Sequence, residues 1–541
     1  MTATDILLIA ALATFVLAWW LRALPGRPRV LLGAALAALA VGIVGVLDDR
    51  WQSALGVAVA VILLAGLGIA RLRGRPASRR PPYVSGPLVT LLAATAIAAL
   101  VMFPVGALPR PSGERPVGVR TFEIADPSRT GVLAAAPGAP RRLLVRVWYP
   151  AGDTSGFKPR PYFTDEEAAT TARSLGAPFK FPPFFTYLKH VRTNSYENAP
   201  LAPGASRLPV VIYSHGFTSF LGQNTVLMEE LASHGYVVFS LQHTYDSAAT
   251  LFPDGTVAPM DPELFNRGDD SGKQAQIDAI AGKDLDARLE GQLQLRETGL
   301  AKNERITRSG VIWAADRIFL HDQLQASAVP AAIAPILAAS DLARVGEMGM
   351  SFGGATSGSV CMVDRRCAAG INLDGADFPF QAFDAAMPVP FLMFHSDMRT
   401  IYQAMGVEPP AGRARAFNDF SYETFAAAGS DPKVQRLQLR EARHLGLSDF
   451  SLFIRRPLRD PLLGAPPARV MIGAQNDFVR AFFDRHLRGR NAAGLEGPSK
   501  TYADWILPAD NSDVRAWWAA KAPSEQQAIE ARIARLRGPT P

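Results

Sequence analysis

The stretch Val345-Gly346-Glu347-Met348-Gly349-Met350-Ser351-Phe352-Gly353-Gly354 decides the reading of this 541-residue chain. A β-forming apolar run ends in G-x-S-x-G and passes into a helical segment. That context gives an otherwise weak pattern its meaning. The serine sits on a sharp, strained turn, where side chains at Gly349 and Gly353 would strike neighbouring elements, and its hydroxyl is pushed out at the carboxyl end of a sheet. The helix starting there turns its positive end toward developing negative charge. An ordinary serine in a glycine-rich turn is the competing interpretation.

Outward from this turn, strand-like runs recur. Pro209–Ser214, Tyr236–Leu241, Val345–Gly349 and Ala368–Leu373 are nearly continuous in apolar residues, and each is followed by a helical stretch. Strands without alternation are buried on both faces, as a parallel sheet between helices requires. Val389–Phe394 and Val434–Leu439 add two more, and Arg142–Pro150 is an alternating run ahead of them. The order predicts one doubly wound α/β domain. Residues 250–308 interrupt the rhythm with a polar segment of helical composition, read equally well as a lid or as a solvated insertion. Ser309–Ala326 follows as a core helix, with Val311, Ile312, Ala315, Ile318, Phe319 and Leu324 at helical spacing.

A serine hydroxyl needs a base to act as a nucleophile. In this architecture the partners follow in the order serine, acid, histidine. Only His395, His444 and His486 come after the first acid candidate. His444 lies just past the last strand, in a loop able to reach Ser351. His395 ends a strand as a rim or packing residue, and His486 lies in an amphipathic helix as a surface group. Two strand ends offer an acid, Asp374 and Asp397. An oxyanion needs preorganised N–H donors. Phe352 follows the nucleophile directly, and Phe217 follows Gly216 in the loop Ser214-His215-Gly216-Phe217; His215 is read as holding that loop.

The N-terminal fifth reads differently. Ile6–Leu21, Val30–Leu47, Ser53–Ala70 and Leu88–Pro104 contain no charge, and each approaches the length that spans a ~30 Å hydrocarbon core. Residues 1–105 are therefore expected to form an all-α transmembrane domain with helices near 6–21, 30–47, 53–70 and 88–104. Residues 106–119 are expected to be a linker, and 120–541 the catalytic-type domain. Arg22, Arg27 and Arg29 in the first loop, with Arg71, Arg73, Arg75, Arg79 and Arg80 in the third, mark those loops as cytoplasmic. Both termini and the large domain then lie outside, in a plasma or inner membrane. Met1-Thr2-Ala3-Thr4-Asp5 lacks the basic start of a cleaved signal peptide.

Composition narrows the function classes. Residues 1–106 carry a net charge of +6, from nine Arg against three Asp, whereas the remaining residues hold 47 basic against 46 acidic groups. The basic balance thus belongs to the apolar fifth, and nucleic-acid binding has no support. Two cysteines rule out a four-cysteine zinc site. Cys361 and Cys367 are read either as a disulfide, allowed outside the cytoplasm, or as a free buried pair. No metal or organic cofactor is expected, and the oligomeric state is not read from the sequence.

Several segments together resemble the plasma-type platelet-activating factor acetylhydrolase family of esterases. Ser214-His215-Gly216-Phe217 and Glu230-Leu231-Ala232-Ser233-His234-Gly235-Tyr236 are similar to its S-H-G-x and L-A-S-H-G-[FY] segments. Gln242-His243-Thr244-Tyr245-Asp246-Ser247 resembles the strand-end loop that follows, Gly370-Ile371-Asn372-Leu373-Asp374-Gly375 the strand carrying the acid, and His444-Leu445-Gly446-Leu447-Ser448-Asp449-Phe450 the H-x-x-x-x-D-F segment. The likeness covers roughly 121–488. It implies an α/β-hydrolase fold, favours Asp374 over Asp397, and implies a triad of Ser351, Asp374 and His444, with Phe217 and Phe352 as oxyanion donors. The implied activity is hydrolysis of carboxylic esters through an acyl-enzyme, on short-acyl phospholipids or related small esters, beside a lipid bilayer. Met350 replaces the histidine usual before the serine, and the apolar fifth lies outside the family pattern. Competing readings are a non-catalytic membrane sensor or binding module on this fold, and a peptidase, acyltransferase or polyester hydrolase using the same triad.

Overall fold

Apolar runs without a polar face become the first elements. In the computed structural model, which describes residues 1–74, 82–133, 138–265, 273–380, 382–410, 414–492, 495 and 500–537, they form helices α1 (Ala3–Trp20), α2 (Arg27–Leu47), α3 (Ser53–Leu72) and α4 (Pro82–Met102). All four are long and apolar enough to cross a membrane, with mean hydropathies of 1.9 to 2.7. Thr2 caps α1 in a capping box with Asp5. Arg75, Arg79 and Arg80, used above for orientation, lie outside the described residues.

These helices belong to one of two compact units, which comprises Met1–Leu108, Pro161–Arg192 and Leu452–Arg459. Leu8, Leu12, Phe15, Leu31, Ala35, Leu63 and Leu100 fill its centre, while Leu7, Leu17, Leu47, Leu72 and Leu91 point outward. Apolar side chains both inside and outside a bundle are what a membrane span requires. Small residues bring the helices close: a Cβ on Gly56 would run into Leu8. Arg50 ties one end together. It is fully buried, pairs with Asp5 at 2.9 Å, donates to the Leu100 carbonyl at 2.9 Å and lies over the Tyr187 ring.

The second unit comprises Pro109–Arg160, Thr193–Ser451 and Asp460–Pro541. Its strands are β1 (Val117–Thr130), β2 (Pro140–Pro150), β3 (Pro159–Pro161), β4 (Arg192–Glu197), β5 (Leu208–Ser214), β6 (Val237–Gln242), a small pair β7 (Thr250–Leu251) and β8 (Val257–Ala258), then β9 (Ser340–Met350), β10 (Cys367–Leu373), β11 (Phe391–His395), β12 (Val434–Leu439) and β13 (Ile506–Pro508). The large sheet runs β13-β12-β11-β10-β9-β5-β6-β2-β1-β4-β3. From β12 through β6 neighbouring strands are parallel, and β2 and β13 join antiparallel at either side. This is a mostly parallel sheet flanked by helices, the α/β-hydrolase arrangement.

Both faces are apolar, as continuous hydrophobic strands demand. Tyr213, Met348, Ile371 and Phe394 pack with Phe478 and Phe482 of the helix Ala468–Arg488. Ile212, Phe239 and Val345 pack with Leu320 and Leu324 of the helix Arg305–Gln325. Strand β1 begins at Val117, inside the stretch expected to be a linker, and its first three residues pair with Pro150, Tyr149 and Trp148.

The helix Arg305–Gln325 buries a different stripe from the expected one. Trp313, Asp316, Arg317, Leu320, His321 and Leu324 are buried, whereas Val311, Ile312, Ala315, Ile318 and Phe319 are only partly so. The charged members of this stripe are tolerated because they are paired: Arg317 and His321 meet the buried Glu347, and Asp316 meets Arg141.

Candidate active site

The register of the sheet aligns its strand ends. Ser214 of β5 lies opposite Gly349 of β9, and Leu373 of β10 lies opposite Met350 and Phe394. Loops leaving β5, β9, β10, β11 and β12 therefore emerge at one edge.

Ser351 leaves β9 with φ 55° and ψ −123°, the strained backbone of a nucleophile elbow, and Phe352–Val363 follows as a helix. The turn is locked by the Ser351 amide donating to the Leu373 carbonyl at 2.7 Å. A Cβ on Gly349 would collide with the Gly353 backbone, and one on Gly353 with the Ser214 carbonyl oxygen. Both glycines of the motif are thus required by close backbone approach.

The structure brings three of the sequence candidates together. Ser351 Oγ is 2.9 Å from His444 Nε2, and His444 Nδ1 is 2.6 Å from Asp374 Oδ2. An ionised carboxylate only accepts, so Nδ1–H donates to Asp374 and Nε2 is free to accept from the serine hydroxyl. Asp374 is fully buried, and the His444 side chain is 36% exposed. The histidine stands on a short turn after β12, and its loop is anchored further on: the Asp449 carboxylate accepts from Val226 N at the start of the helix Thr225–Ser233.

Asp397 has other partners. It caps the helix Met398–Ala404 through the Arg399 amide, and accepts from Glu441 N at 2.8 Å and Gln438 Nε2 at 3.0 Å. His395 is buried, with Nδ1 3.9 Å from Asp374 Oδ1. His486, expected at the surface, is half-buried against the Phe482 ring, 4.6 Å away, and this burial together with Arg485 lowers its pKa. His215 is wholly buried and donates from Nδ1 to the Gly216 carbonyl at 2.6 Å; burial holds its pKa down to about 3.

Gly216 lies directly against Ser351, so that a Cβ there would be 3.2 Å from Ser351 Cβ. The loop bearing Phe217 therefore faces Ser351, and the Phe217 and Phe352 rings are 5.0 Å apart. Neither backbone amide has an acceptor among the described residues. Cys361 and Cys367 are joined as a disulfide with Cα atoms 5.0 Å apart.

Beside Ser351 opens a cleft of about 350 Å³. Its walls are largely apolar, with Ile280, Leu295, Ile401, Met405 and Phe417, and include Gln276 and Gln292. Residues of the 250–308 insertion thus line the site through the helices Lys273–Ala281 and Leu285–Ala301; its residues 266–272 lie outside the described ones. Among the described residues no group of three or more His, Cys, Asp or Glu forms a metal cradle.

Sequence reasoning missed the groups that hold Asp374. Ser396 donates to Asp374 from both amide and hydroxyl. Asn372 brackets Gly375, accepting its N–H at 2.7 Å and donating to its carbonyl at 3.0 Å. A serine or asparagine at a strand end carries no signal until strand order is known.

The fold is that of the α/β hydrolases, with Ser351, His444 and Asp374 hydrogen-bonded in line at the carboxyl edge of its sheet. Residues 105–301 match the family described as platelet-activating factor acetylhydrolase, isoform II. The chain is 27% identical over 265 residues to the platelet-activating factor acetylhydrolase of Cavia porcellus, covering 47% of this chain and 55% of that protein. A probable 1-alkyl-2-acetylglycerophosphocholine esterase of Arthroderma benhamiae is 24% identical over 462 residues, 78% of this chain and 99% of that one. The ferulic acid esterase of Streptomyces cinnamoneus shares the fold, with a TM-score of 0.53 and 23% identity over 75% of this chain and 100% of its own. The chain is thus similar to platelet-activating factor acetylhydrolases over part of its length, as its motifs implied. It spans about half the length of the mammalian relatives it matches. The family match ends at residue 301 and so covers the Phe217 loop but not Ser351, Asp374 or His444.

Proposed function

We propose that this protein is a membrane-anchored serine hydrolase of carboxylic esters, with Ser351, His444 and Asp374 as its catalytic triad. The observation that carries this reading is the continuous hydrogen-bond path from Ser351 Oγ through both nitrogens of His444 to Asp374, with distances of 2.9 and 2.6 Å. Ser351 attacks the ester carbonyl as His444 takes its proton, and Asp374 stabilises the imidazolium. The Phe217 and Phe352 amides hold the oxyanion. His444 then protonates the leaving alkoxide, and a water molecule repeats the cycle to free the acid.

The substrates are short-acyl phospholipids or related small esters. An apolar cleft beside the nucleophile supports an apolar acyl or alkyl group, and the names of the curated relatives support the lipid class. Four apolar helices support anchoring in a bilayer. The arginine-rich first and third loops support a catalytic unit on the extracytoplasmic side, where the Cys361–Cys367 disulfide is stable.

The full-length protein in detergent should label with an alkyl fluorophosphonate, and Ser351→Ala should abolish labelling. It should also release acetate from 1-alkyl-2-acetyl phospholipids and from p-nitrophenyl acetate. Absence of labelling in the native protein would overturn the esterase reading. Protease protection of membrane vesicles, with the large unit sealed inside inverted vesicles, tests the orientation.

A further inference from the structure

A second hydroxyl–imidazole–carboxylate array lies in the same unit. Ser214 Oγ is 2.9 Å from His243 Nε2, and His243 Nδ1 is 2.8 Å from Asp316 Oδ2. Ser214, His243 and Asp316 are all wholly buried, so a substrate does not reach this serine and the array is not a second catalytic centre. The carboxylate accepts from Nδ1–H, which leaves Nε2 to accept the Ser214 hydroxyl proton. Burial holds the imidazole neutral, with its pKa lowered to about 4. Arg141 fixes Asp316 with two bonds, at 3.1 and 2.7 Å, and Arg129 adds a third at 2.8 Å.

Two branches of this array end on residues 214–218. The His243 amide donates to His215 Nε2 at 3.2 Å, and His215 Nδ1–H donates to the Gly216 carbonyl. The Thr218 amide donates to the Asp246 carbonyl at 2.9 Å, and the Asp246 carboxylate accepts from Trp313 Nε1 at 2.9 Å. Trp313 stacks on His243, with ring centroids 3.7 Å apart and planes 10° apart. The same indole lies 4.9 Å from the Phe352 ring and 6.2 Å from the Phe217 ring. One buried imidazole therefore connects, by hydrogen bonds and ring contacts, to both residues proposed above as oxyanion donors.

We infer that Ser214, His243 and Asp316, with Trp313, are positioning residues that hold the Phe217 and Phe352 amides at the spacing an oxyanion requires. The inference rests on the esterase reading. Oxyanion donors contribute because they need no reorganisation as charge develops, and a shift of about 1 Å in a reacting geometry costs on the order of 10²-fold. Such an array acts on the transition state and leaves ground-state binding nearly unchanged.

The test uses full-length Ser214→Ala, which removes one hydroxyl, and Trp313→Phe, which keeps a ring but loses the N–H to Asp246. Active sites are counted with a fluorophosphonate. Turnover of p-nitrophenyl acetate per labelled serine is then measured, with inhibition by a trifluoromethyl ketone, whose adduct on Ser351 carries an oxyanion. The expected result is a kcat about tenfold lower at nearly constant KM, with ketone affinity weakened by the same factor. Unchanged kcat per labelled serine and unchanged ketone affinity, with only a lower melting temperature or fewer active sites, would overturn the inference and leave a purely structural array. A wild-type protein whose Ser351 fails to label overturns the esterase reading and this inference with it; a labelled wild type with kinetically silent variants overturns this inference alone.

Discussion

Ser396 donates twice to the carboxylate of Asp374, from its amide to Oδ1 at 2.8 Å and from its hydroxyl to Oδ2 at 2.6 Å. The second oxygen is the one that accepts His444 Nδ1–H. Orientation of the imidazole therefore depends on a serine outside the cleft lining. Ser396→Ala keeps the amide bond and loses the hydroxyl, leaving Asp374 freer to rotate. A hydrogen bond to a charged group contributes about 1.5–3 kcal/mol. The variant should lose about tenfold to a hundredfold in kcat with KM little changed, measured by steady-state ester hydrolysis.

Much of this arrangement is legible in the sequence, and the reasons differ by element. Strands β5, β6, β9 and β10 announce themselves because burial on both faces makes them continuously apolar. The elbow is legible because close backbone contact demands glycine at 349 and 353. The buried stripe of the helix Arg305–Gln325 is not, because its inward face carries Asp316, Arg317 and His321, which read as solvent-facing until Arg141 and Glu347 are known to lie opposite. Asp374 and Asp397 are alike locally, each at a strand end. Only tertiary contact separates a carboxylate that meets His444 from one that caps a helix and holds the Glu441 amide.

That difference gives a paired prediction. In Asp374→Asn an amide replaces the acceptor of Nδ1–H, which disfavours the tautomer that leaves Nε2 unprotonated, and the loss should be on the order of 10⁴ in kcat. In Asp397→Asn the side-chain oxygen still caps the helix, and the triad contacts are untouched. Its amide nitrogen then faces the Glu441 N–H that Oδ2 accepted, so kcat should stay within about threefold of wild type with a stability loss of about 1–3 kcal/mol. Comparable losses of activity in both variants would contradict the assignment of the acid.

Asp377 should give the protein a distinct pH response. It is buried beside Tyr422, which donates to Oδ1, and burial pushes its pKa up to about 8. An unfolded aspartate releases its proton near pH ~3.9. Between these values the folded state holds one more proton than the unfolded state, so this group's contribution is complete below about pH 4 and is lost as pH rises through about 8. The slope is about 1.4 kcal/mol per pH unit within the window. Asp377→Asn stays neutral throughout and should be flatter from pH 5 to 8 in thermal melts of the detergent-solubilised chain. Parallel wild-type and variant profiles would show that the carboxyl is ionised in the folded state.

Gly353 couples the elbow to the loop that carries Phe217. A methyl group there would strike the Ser214 carbonyl oxygen and come within 2.5 Å of the His215 carbonyl oxygen. Both acceptors are backbone atoms at the end of β5, so relief requires the turn at Ser351 and the 214–217 loop to move apart. Gly353→Ala should therefore lower kcat more than a hundredfold, on the order of a lost oxyanion donor, and lower the melting temperature as well. Gly255→Ala separates this effect from backbone strain. Gly255 has φ 82° and nothing within 4 Å of a new Cβ, so its cost is about 1–2 kcal/mol of left-handed backbone strain with unchanged turnover. If both alanine variants lose stability equally but keep full activity, the distance between β5 and the nucleophile turn does not control the chemistry.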